Sequence, residues 1–426
     1  MSKCLKLIRL ARWVAMLLGA VLAWGAIFAW GTSAAAEDLR IGFVAPLSGG
    51  FAQAGRDMQN GFNLYVEEQQ GRFAGAQVKV IYEDTQGSPP TAVTMAQKLI
   101  EQDKVQIILG GIPATEGYAL APVTTRGGVP YVVPVASADD LTQREKPKYP
   151  FLVRTGWSSS QTAHVLGQWA CDQGIKRVSI VAADYAFGHE SAGGFQKAFE
   201  DCGGKVVQKI WPPLGNKDFG PFLAQIKHDV DAVYTVLVAN MPGQFAKQYQ
   251  GAGLTPRLLG QGMSADEFVL PSMGDEALGY VTALQYSAAL ETPKNEAFVK
   301  KYRAKFGKVP SFYSESSYTS GQWIHEAMKK AGGKWPGSQE FVRLMAGTQL
   351  DAVRGPVRFD DTMNPVQNVY IRKVERKKMF GYPDAELWNT VIKTVPGVSQ
   401  FWTYGKEKFL QQPVYSRDFP PCRYCE

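Results

Sequence analysis

The residues best suited to chemistry lie between Gly110 and Thr142, and the chemistry they suit is the binding of an anion. An apolar run, residues 105–109, ends in Gly110-Gly111, and a helix is expected to begin near Thr115. A second apolar run, residues 129–135, ends in Ala136-Ser137-Ala138. As strands of one parallel sheet, both runs would end at the same edge, presenting backbone N–H groups and hydroxyls. Helix N-termini there carry unpaired donors and partial positive charge, which suits a carboxylate. Thr115 and Ser137 are also good helix-capping types, and that role is compatible with anion contact because both use the same N–H groups.

No catalytic spacing accompanies these turns. The chain has no G-x-S-x-G, H-E-x-x-H or phosphate-binding loop, and GGIPATEG lacks the G-x-G-x-x-G spacing of a dinucleotide site. His164, His189, His228 and His325 are scattered, and His189-Glu190 reads as the charged first turn of a helix. The expectation is a binding protein, not an enzyme, with no cofactor and no metal.

Residues 1–36 read as an export signal. Lys3, Lys6, Arg9 and Arg12 form a basic start, residues 13–30 are apolar, and Ala34-Ala35-Ala36 offers a cleavage site before Glu37. The apolar run is also long enough for an uncleaved anchor. Cleavage removes four basic residues and no acidic one, so the formal charge falls from +7 to +3, which excludes a nucleic-acid footprint. Cys4 leaves with the signal. Cys171, Cys202, Cys422 and Cys425 remain, an even number that favours disulfides in an oxidising compartment. Cys171 and Cys202 end two successive expected helices and make a plausible pair, and Cys422-Arg-Tyr-Cys425 would close a small loop.

From Asp38 onward strands and helices alternate, which implies parallel sheets covered on both faces. LRIGFVA and VKVIYED read as buried strands around a helix at 56–69, where Met58, Phe62, Tyr65 and Val66 share a face. After the break at 146–150, helices at 161–173, 191–201, 219–228 and 243–251 alternate with strands at 177–182, 205–211, 232–238 and 257–259. Residues 281–347 read as mostly helical, and GPVRFDDTMNPVQNVYIRKVE as strands about an Asp-Asn-Pro turn. The last 51 residues, 376–426, are aromatic and aperiodic, and are expected to lie over a lobe, pinned by Trp388, Phe401, Trp402 and Tyr404. A chain of this length exceeds one compact core and suggests two lobes.

Taken together, LRIGFVAPLSGGFAQAGRDMQNG, VKVIYEDTQGSPPTAV, the 110–142 run, FLVRTGWSSSQ, VAADYAFGHE and GPVRFDD resemble the periplasmic solute-binding proteins of ABC transporters, in the branched-chain amino acid and amide group. The resemblance implies an α/β fold of two Rossmann-like lobes with parallel sheets, joined by a three-segment hinge (type I periplasmic binding protein) and closing over a ligand. It implies a first lobe of residues 37–153 plus 282–352, a second of 154–281 plus 353–375, and the 376–426 extension packed on one of them. It implies a monomer that captures a small carboxylate-type solute in the periplasm and delivers it to permease subunits; a periplasmic sensor of the same fold is the alternative. Carried over by position, Ala114, Thr115, Val135, Ala136 and Ser137 would hold the carboxylate. Trp157, Tyr185, Phe187 and Gly262 would meet the ligand from the hinge and second lobe.

The chain also departs from that group's pattern. Ala114 replaces a usual hydroxyl, Ala54 a usual aromatic, and Val238 stands near an expected tyrosine. Around Gly262 there is no acidic residue until Asp266, where amino-acid binders place a partner for the ligand's ammonium. A buried ammonium without such a partner is costly by several kcal/mol. The departures point to an aromatic or other hydrophobic carboxylate, or a neutral amide-like solute.

Overall fold

The computed structural model describes residues 38–425, so the expected export signal lies outside them. The first sheet contains β1 (Leu39–Ala45), β2 (Arg72–Phe73), β3 (Ala76–Asp84), β4 (Ile107–Gly110), β5 (Tyr131–Val133) and β6 (Leu152–Arg154), in the order β2-β3-β1-β4-β5-β6. Its strands run parallel except for β2, which pairs antiparallel with β3. The central strands are apolar along their whole length because helices cover both faces: Ile41, Phe43, Ile107, Leu109 and Val132 are fully buried.

The second sheet contains β7 (Arg177–Ala182), β8 (Lys205–Ile210), β9 (Ala232–Val236), β10 (Arg257–Gln261), β11 (Val281–Leu284), β12 (Gln349–Ala352), β13 (Gly355–Phe359), β14 (Pro365–Lys377) and β15 (Glu386–Val398). Strands β7 to β11 are parallel. The long β14 pairs β13 and then β11 along one edge, and β15 along the other.

Two boundaries differ from the sequence reading. Residues 281–284 and 349–352 hydrogen-bond within the second sheet, although the resemblance implies that 282–352 belong to the first lobe. A strand belongs to the sheet whose edge it pairs with, and hydropathy does not reveal that edge. Residues 386–398, read as aperiodic, form a 13-residue strand whose alternation is blurred by buried Asn389 and Thr390 and by bulges against β14.

The helices that matter for the site are α1 (Ala52–Glu68), α2 (Pro89–Glu101), α3 (Ala114–Gly127), α4 (Ser159–Asp172), α5 (Ala186–Asp201), α6 (Met241–Gly251), α7 (Pro293–Phe306) and α8 (Phe312–Lys330). Helix α8 returns to the first lobe and lies so close to α1 that a Cβ on Gly61 would sit 1.9 Å from the Ser314 carbonyl oxygen. Tyr65 and His325 (2.9 Å) and Tyr318 and Glu68 (2.6 Å) bond across that contact.

Buried polar groups knit the crossings between lobes. Arg354 lies on the link from β12 to β13, and its Nη1 donates to Glu315 of α8 at 3.1 Å with both side chains fully buried. The same guanidinium donates to the Thr155 carbonyl, on the link after β6, and the Thr155 and Ser320 hydroxyls lie 2.7 Å apart. Gln367 donates to the Gly156 carbonyl at 2.7 Å.

The chain end packs on α4 and α5. His164 of α4 is fully buried, 2.9 Å from the Tyr415 hydroxyl, and meets Tyr404, Phe409 and Tyr415 edge-on. Cys171 is bonded to Cys202 and Cys422 to Cys425, the pairings the spacing suggested.

Two expectations follow. In Glu315→Ala the Arg354 guanidinium stays buried without its carboxylate, and urea unfolding should show a loss of about 3–5 kcal/mol. Burial, with Lys197 nearby, lowers the His164 pKa to about 3, so the folded state keeps the ring neutral while the unfolded chain takes a proton below about 6.5. Stability from this group is therefore present above pH 6.5 and lost as pH falls, by about 2 kcal/mol at pH 5. His164→Gln should remove that part of the acid-side slope in pH-dependent unfolding.

Candidate functional site

The first-lobe edge forms as the sequence suggests. Gly110 and Gly111 take positive φ at the end of β4, and a Cβ on Gly110 would lie 1.9 Å from the Val44 carbonyl oxygen, so only glycine lets the chain turn there. Helix α3 follows with Pro113 as its N-cap and no side-chain cap. The N–H groups of Glu116 and Gly117 return to the Pro113 carbonyl, which leaves Ala114 and Thr115 at the open end. The buried Glu116 carboxylate folds back to accept the Ile112 N–H at 2.9 Å and so fixes the turn. Ala114 is buried and Thr115 half-buried.

At the end of β5, Val135, Ala136 and Ser137 are buried. The Ser137 carbonyl accepts both the N–H (2.8 Å) and the hydroxyl (2.9 Å) of Ser159 at the start of α4, and the two hydroxyls lie 3.1 Å apart. The Ser137 turn is thereby tied to the second lobe, and a hydroxyl with one such neighbour keeps capacity for a further bond.

Arg154, absent from the sequence-derived set, organises this region. Fully buried on β6, it donates to the carbonyls of Ala136 (3.4 Å), Trp157 (2.9 Å) and Ala138. One guanidinium therefore clamps the strand-end turn and the hinge aromatic together. Trp157 is fully buried, stands edge-on to Phe312 at 5.1 Å, and its indole N–H has no partner in the protein.

The second lobe faces this edge with the 184–187 turn. Phe187 is buried and Tyr185 half-buried, their rings 6.0 Å apart. Asp184 anchors the turn: it pairs with His189 at 2.8 Å and with Arg417 of the chain end at 2.7 Å. Glu190, read from sequence as a helix-start charge, is instead buried across the boundary between the lobes. It accepts the Tyr118 hydroxyl (2.9 Å) from α3 and the Asp139 N–H (3.1 Å), while Asp139 accepts the Ser160 N–H (3.1 Å). Burial first, then the facing Asp139 carboxylate, raises the Glu190 carboxyl above the ordinary range; burial also raises Asp139, with Ser160 and Arg154 opposing.

Gly262 is placed differently from Trp157 and Tyr185. A Cβ there would lie 2.6 Å from the Leu284 side chain, and its carbonyl accepts Arg372 at 2.9 Å, so its surroundings are core packing of the second lobe. Just beyond it, Asp266 and Glu267 bracket the fully buried Arg372 at 3.5 Å and 3.8 Å. Arg372 also donates to the Tyr286 carbonyl at 2.8 Å. Burial and the adjoining Glu267 hold the Asp266 carboxyl well above the ordinary range despite Arg372.

A row of aromatic contacts runs from Trp157 to Phe268: Trp157 meets Phe312, Phe312 lies 3.9 Å from Tyr313, and Phe268 stands edge-on to Tyr313 at 5.2 Å. Two cavities open between the lobes at the Phe268 end. One of about 280 Å³ is lined by Phe51 and Ala54 of the first lobe and by Asn240, Lys247 and Phe268 of the second. The other, about 550 Å³, is lined by Gln53 and Asp57 of α1 and by Glu267, Phe268 and Leu387 of the second lobe. Phe268, Tyr313 and Glu267 carry no motif that marks them in sequence; the fold alone brings them here.

The chain matches the model of the periplasmic binding protein family over residues 38–378. The Leu/Ile/Val-binding protein homolog 6 of Brucella suis biovar 1 (strain 1330) is 30% identical over 376 residues, 86% of this chain and 95% of that one. A solute binding protein of an ABC transporter from Rhodopseudomonas palustris BisB5, solved with 3,4-dihydroxy benzoic acid, is 35% identical with a TM-score of 0.80, covering 85% of this chain and 98% of its own. A second ABC transporter solute binding protein from R. palustris, solved with benzoate, is 28% identical with a TM-score of 0.76, covering 84% and 98%. With its two sheet-based lobes and a match over residues 38–378, the chain belongs to the periplasmic binding protein family.

Proposed function

We propose that this protein captures a small aromatic carboxylate between its lobes and delivers it to the permease of an ABC importer, acting in the periplasm after its signal is removed. The observation that carries the choice of solute is the charge balance of the second-lobe wall. Asp266 and Glu267 share Arg372, and with Asp266 held toward its neutral form the trio has one guanidinium for one carboxylate. Glu190 is committed to Tyr118 and the Asp139 N–H. Neither cluster has negative charge to spare for an α-ammonium, whose burial without a partner is costly. The first-lobe edge, by contrast, offers the open N–H end of α3 at Ala114 and Thr115 and the Ser137 turn for a carboxylate. Between them runs a wall of Trp157, Phe312 and Tyr313, suited to an aromatic ring. The relatives solved with benzoate and 3,4-dihydroxybenzoic acid support the same solute class.

The work done is binding, with no covalent step. A solute held by Thr115 and Ser137 on one side and Tyr185 and Phe187 on the other touches both lobes only when they are closed. It stabilises that state by its differential affinity. The closed pair of lobes is then the surface offered to the permease.

Thermal unfolding of the exported protein with benzoate, hydroxylated benzoates, leucine, valine and short amides tests this reading. A solute at a hundred times its dissociation constant adds roughly 2.7 kcal/mol, so aromatic acids should raise the midpoint and leucine and valine should not. A shift with leucine or valine alone would refute the charge-balance argument. Trp157→Ala should weaken aromatic-acid binding by roughly tenfold or more through the lost ring contact, read by titration calorimetry.

A further inference from the structure

We propose that the C-terminal extension, from residue 399 onward, is a strap across the lobe boundary that limits how far the two lobes open, whatever solute they hold. The segment lies beyond residues 38–378, the span matched by the family model.

Its first anchor is on the first lobe. Strand β15 ends at Val398 in the second sheet, and two residues later Gln400 is fully buried with its whole amide group in use. The Gln400 side-chain oxygen accepts the Thr142 hydroxyl at 2.9 Å, and its amide nitrogen donates to Asp360 at 2.7 Å and to the Thr362 hydroxyl at 2.9 Å. Thr142 lies on the connection from β5 to β6, both strands of the first sheet, and so belongs to the first lobe. Asp360 and Thr362 lie on the turn from β13 to β14, where the Met363 carbonyl accepts the Arg154 N–H of β6 at 3.0 Å. Lys406 repeats the pattern nearer the surface. It pairs with Asp361 of that turn and donates to the Glu145 carbonyl, again on the β5–β6 connection, at 3.1 Å.

The second anchor is on the second lobe. Phe401, Phe409 and Tyr415 form a small buried cluster of their own, with Phe409 and Tyr415 edge-on to His164 of α4. Tyr415 packs so closely on α5 that a Cβ on Gly193 would lie 2.7 Å from it. Further on, the Pro421 carbonyl accepts Gln196 of α5 at 2.9 Å and the Pro420 carbonyl accepts Lys209 of β8 at 2.7 Å. One continuous segment is therefore fastened on both sides of the boundary. Rotating the second lobe away from the first pulls Gln400 from Thr142 and Lys406 from the Glu145 carbonyl. Groups that are buried and paired must be met by water before they separate, so these bonds oppose opening.

The test is pulsed electron paramagnetic resonance on the exported protein without solute, with spin labels at Gln97→Cys on α2 and Gln250→Cys on α6. Both positions are exposed, one on each lobe, and Cys171, Cys202, Cys422 and Cys425 are already bonded in pairs. With the strap intact the distance between labels should be narrowly distributed. Gln400→Ala should broaden the distribution and move its mean to longer distance. Lys406→Glu, a surface change that sets a carboxylate beside Asp361 and removes the donor to Glu145, should shift it in the same direction, and it decides the matter by the same criterion where Gln400→Ala fails to fold. A distribution that stays unchanged in the folded variants overturns the proposal. So does a lowered thermal midpoint with the interlobe distance unmoved, which would make the segment packing and nothing more.

Discussion

Arg154 is the constraint on which the site depends. Its guanidinium is sealed in the interior at the first crossing between lobes, and its bonds go to the carbonyls of Ala136, Ala138 and Trp157. Burying an arginine is unfavourable unless its donors are met, so the surrounding backbone must hold its shape to meet them. That requirement fixes the Ser137 turn relative to the hinge and sets Trp157 beside it. Asp139 and Glu190 lie close enough to bias the Arg154 charge, and Glu190 in turn holds Tyr118. The Ser137 turn, the Trp157–Phe312 contact and the Glu190–Tyr118 contact between lobes are thus tied to one buried cation.

The same logic recurs on the opposite wall and at the remaining crossings. Arg372 is buried against two carboxylates and the Gly262 and Tyr286 carbonyls, and Arg354 against Glu315 and the Thr155 carbonyl. Each of these arginines sits where chain segments distant in sequence meet, and each takes backbone carbonyls as well as side chains. Ion pairs of this kind contribute little net stability but define a single arrangement of the segments they join. For a protein that functions by closing two lobes, the arrangement of those segments matters more than added stability. On the function proposed above, the carboxylates beside Arg372 are already balanced within the protein, which is why a solute with a carboxylate and no ammonium is proposed.

Much of the architecture was legible in the sequence because hydropathy period and glycine position speak directly to backbone. The strand end at Gly110, a helix start near Thr115 and the pairing of the four cysteines follow from local pattern and the structure agrees, whereas β5 spans only Tyr131–Val133 of the expected 129–135. The sheet membership of residues 281–284 and 349–352 was not legible, because it depends on which edge was vacant. The β15 strand was hidden because its buried positions include Asn389 and Thr390, satisfied by partners distant in sequence. Within the site, backbone-built features could be read and side-chain networks could not. Glu190 looked like a helix-start charge since nothing local reveals that Tyr118 and Asp139 close over it. Arg154 and Arg372 are ordinary charges in sequence, and their roles come from burial alone.

The most direct test of the account is a crystal structure of the exported protein grown with 3,4-dihydroxybenzoate. The account predicts closed lobes with the carboxylate within hydrogen-bond distance of the Thr115 N–H and the Ser137 hydroxyl, and the ring against Trp157. A solute whose carboxylate instead faces Arg372 and the second-lobe wall, or one seated away from the Ser137 turn, would contradict it.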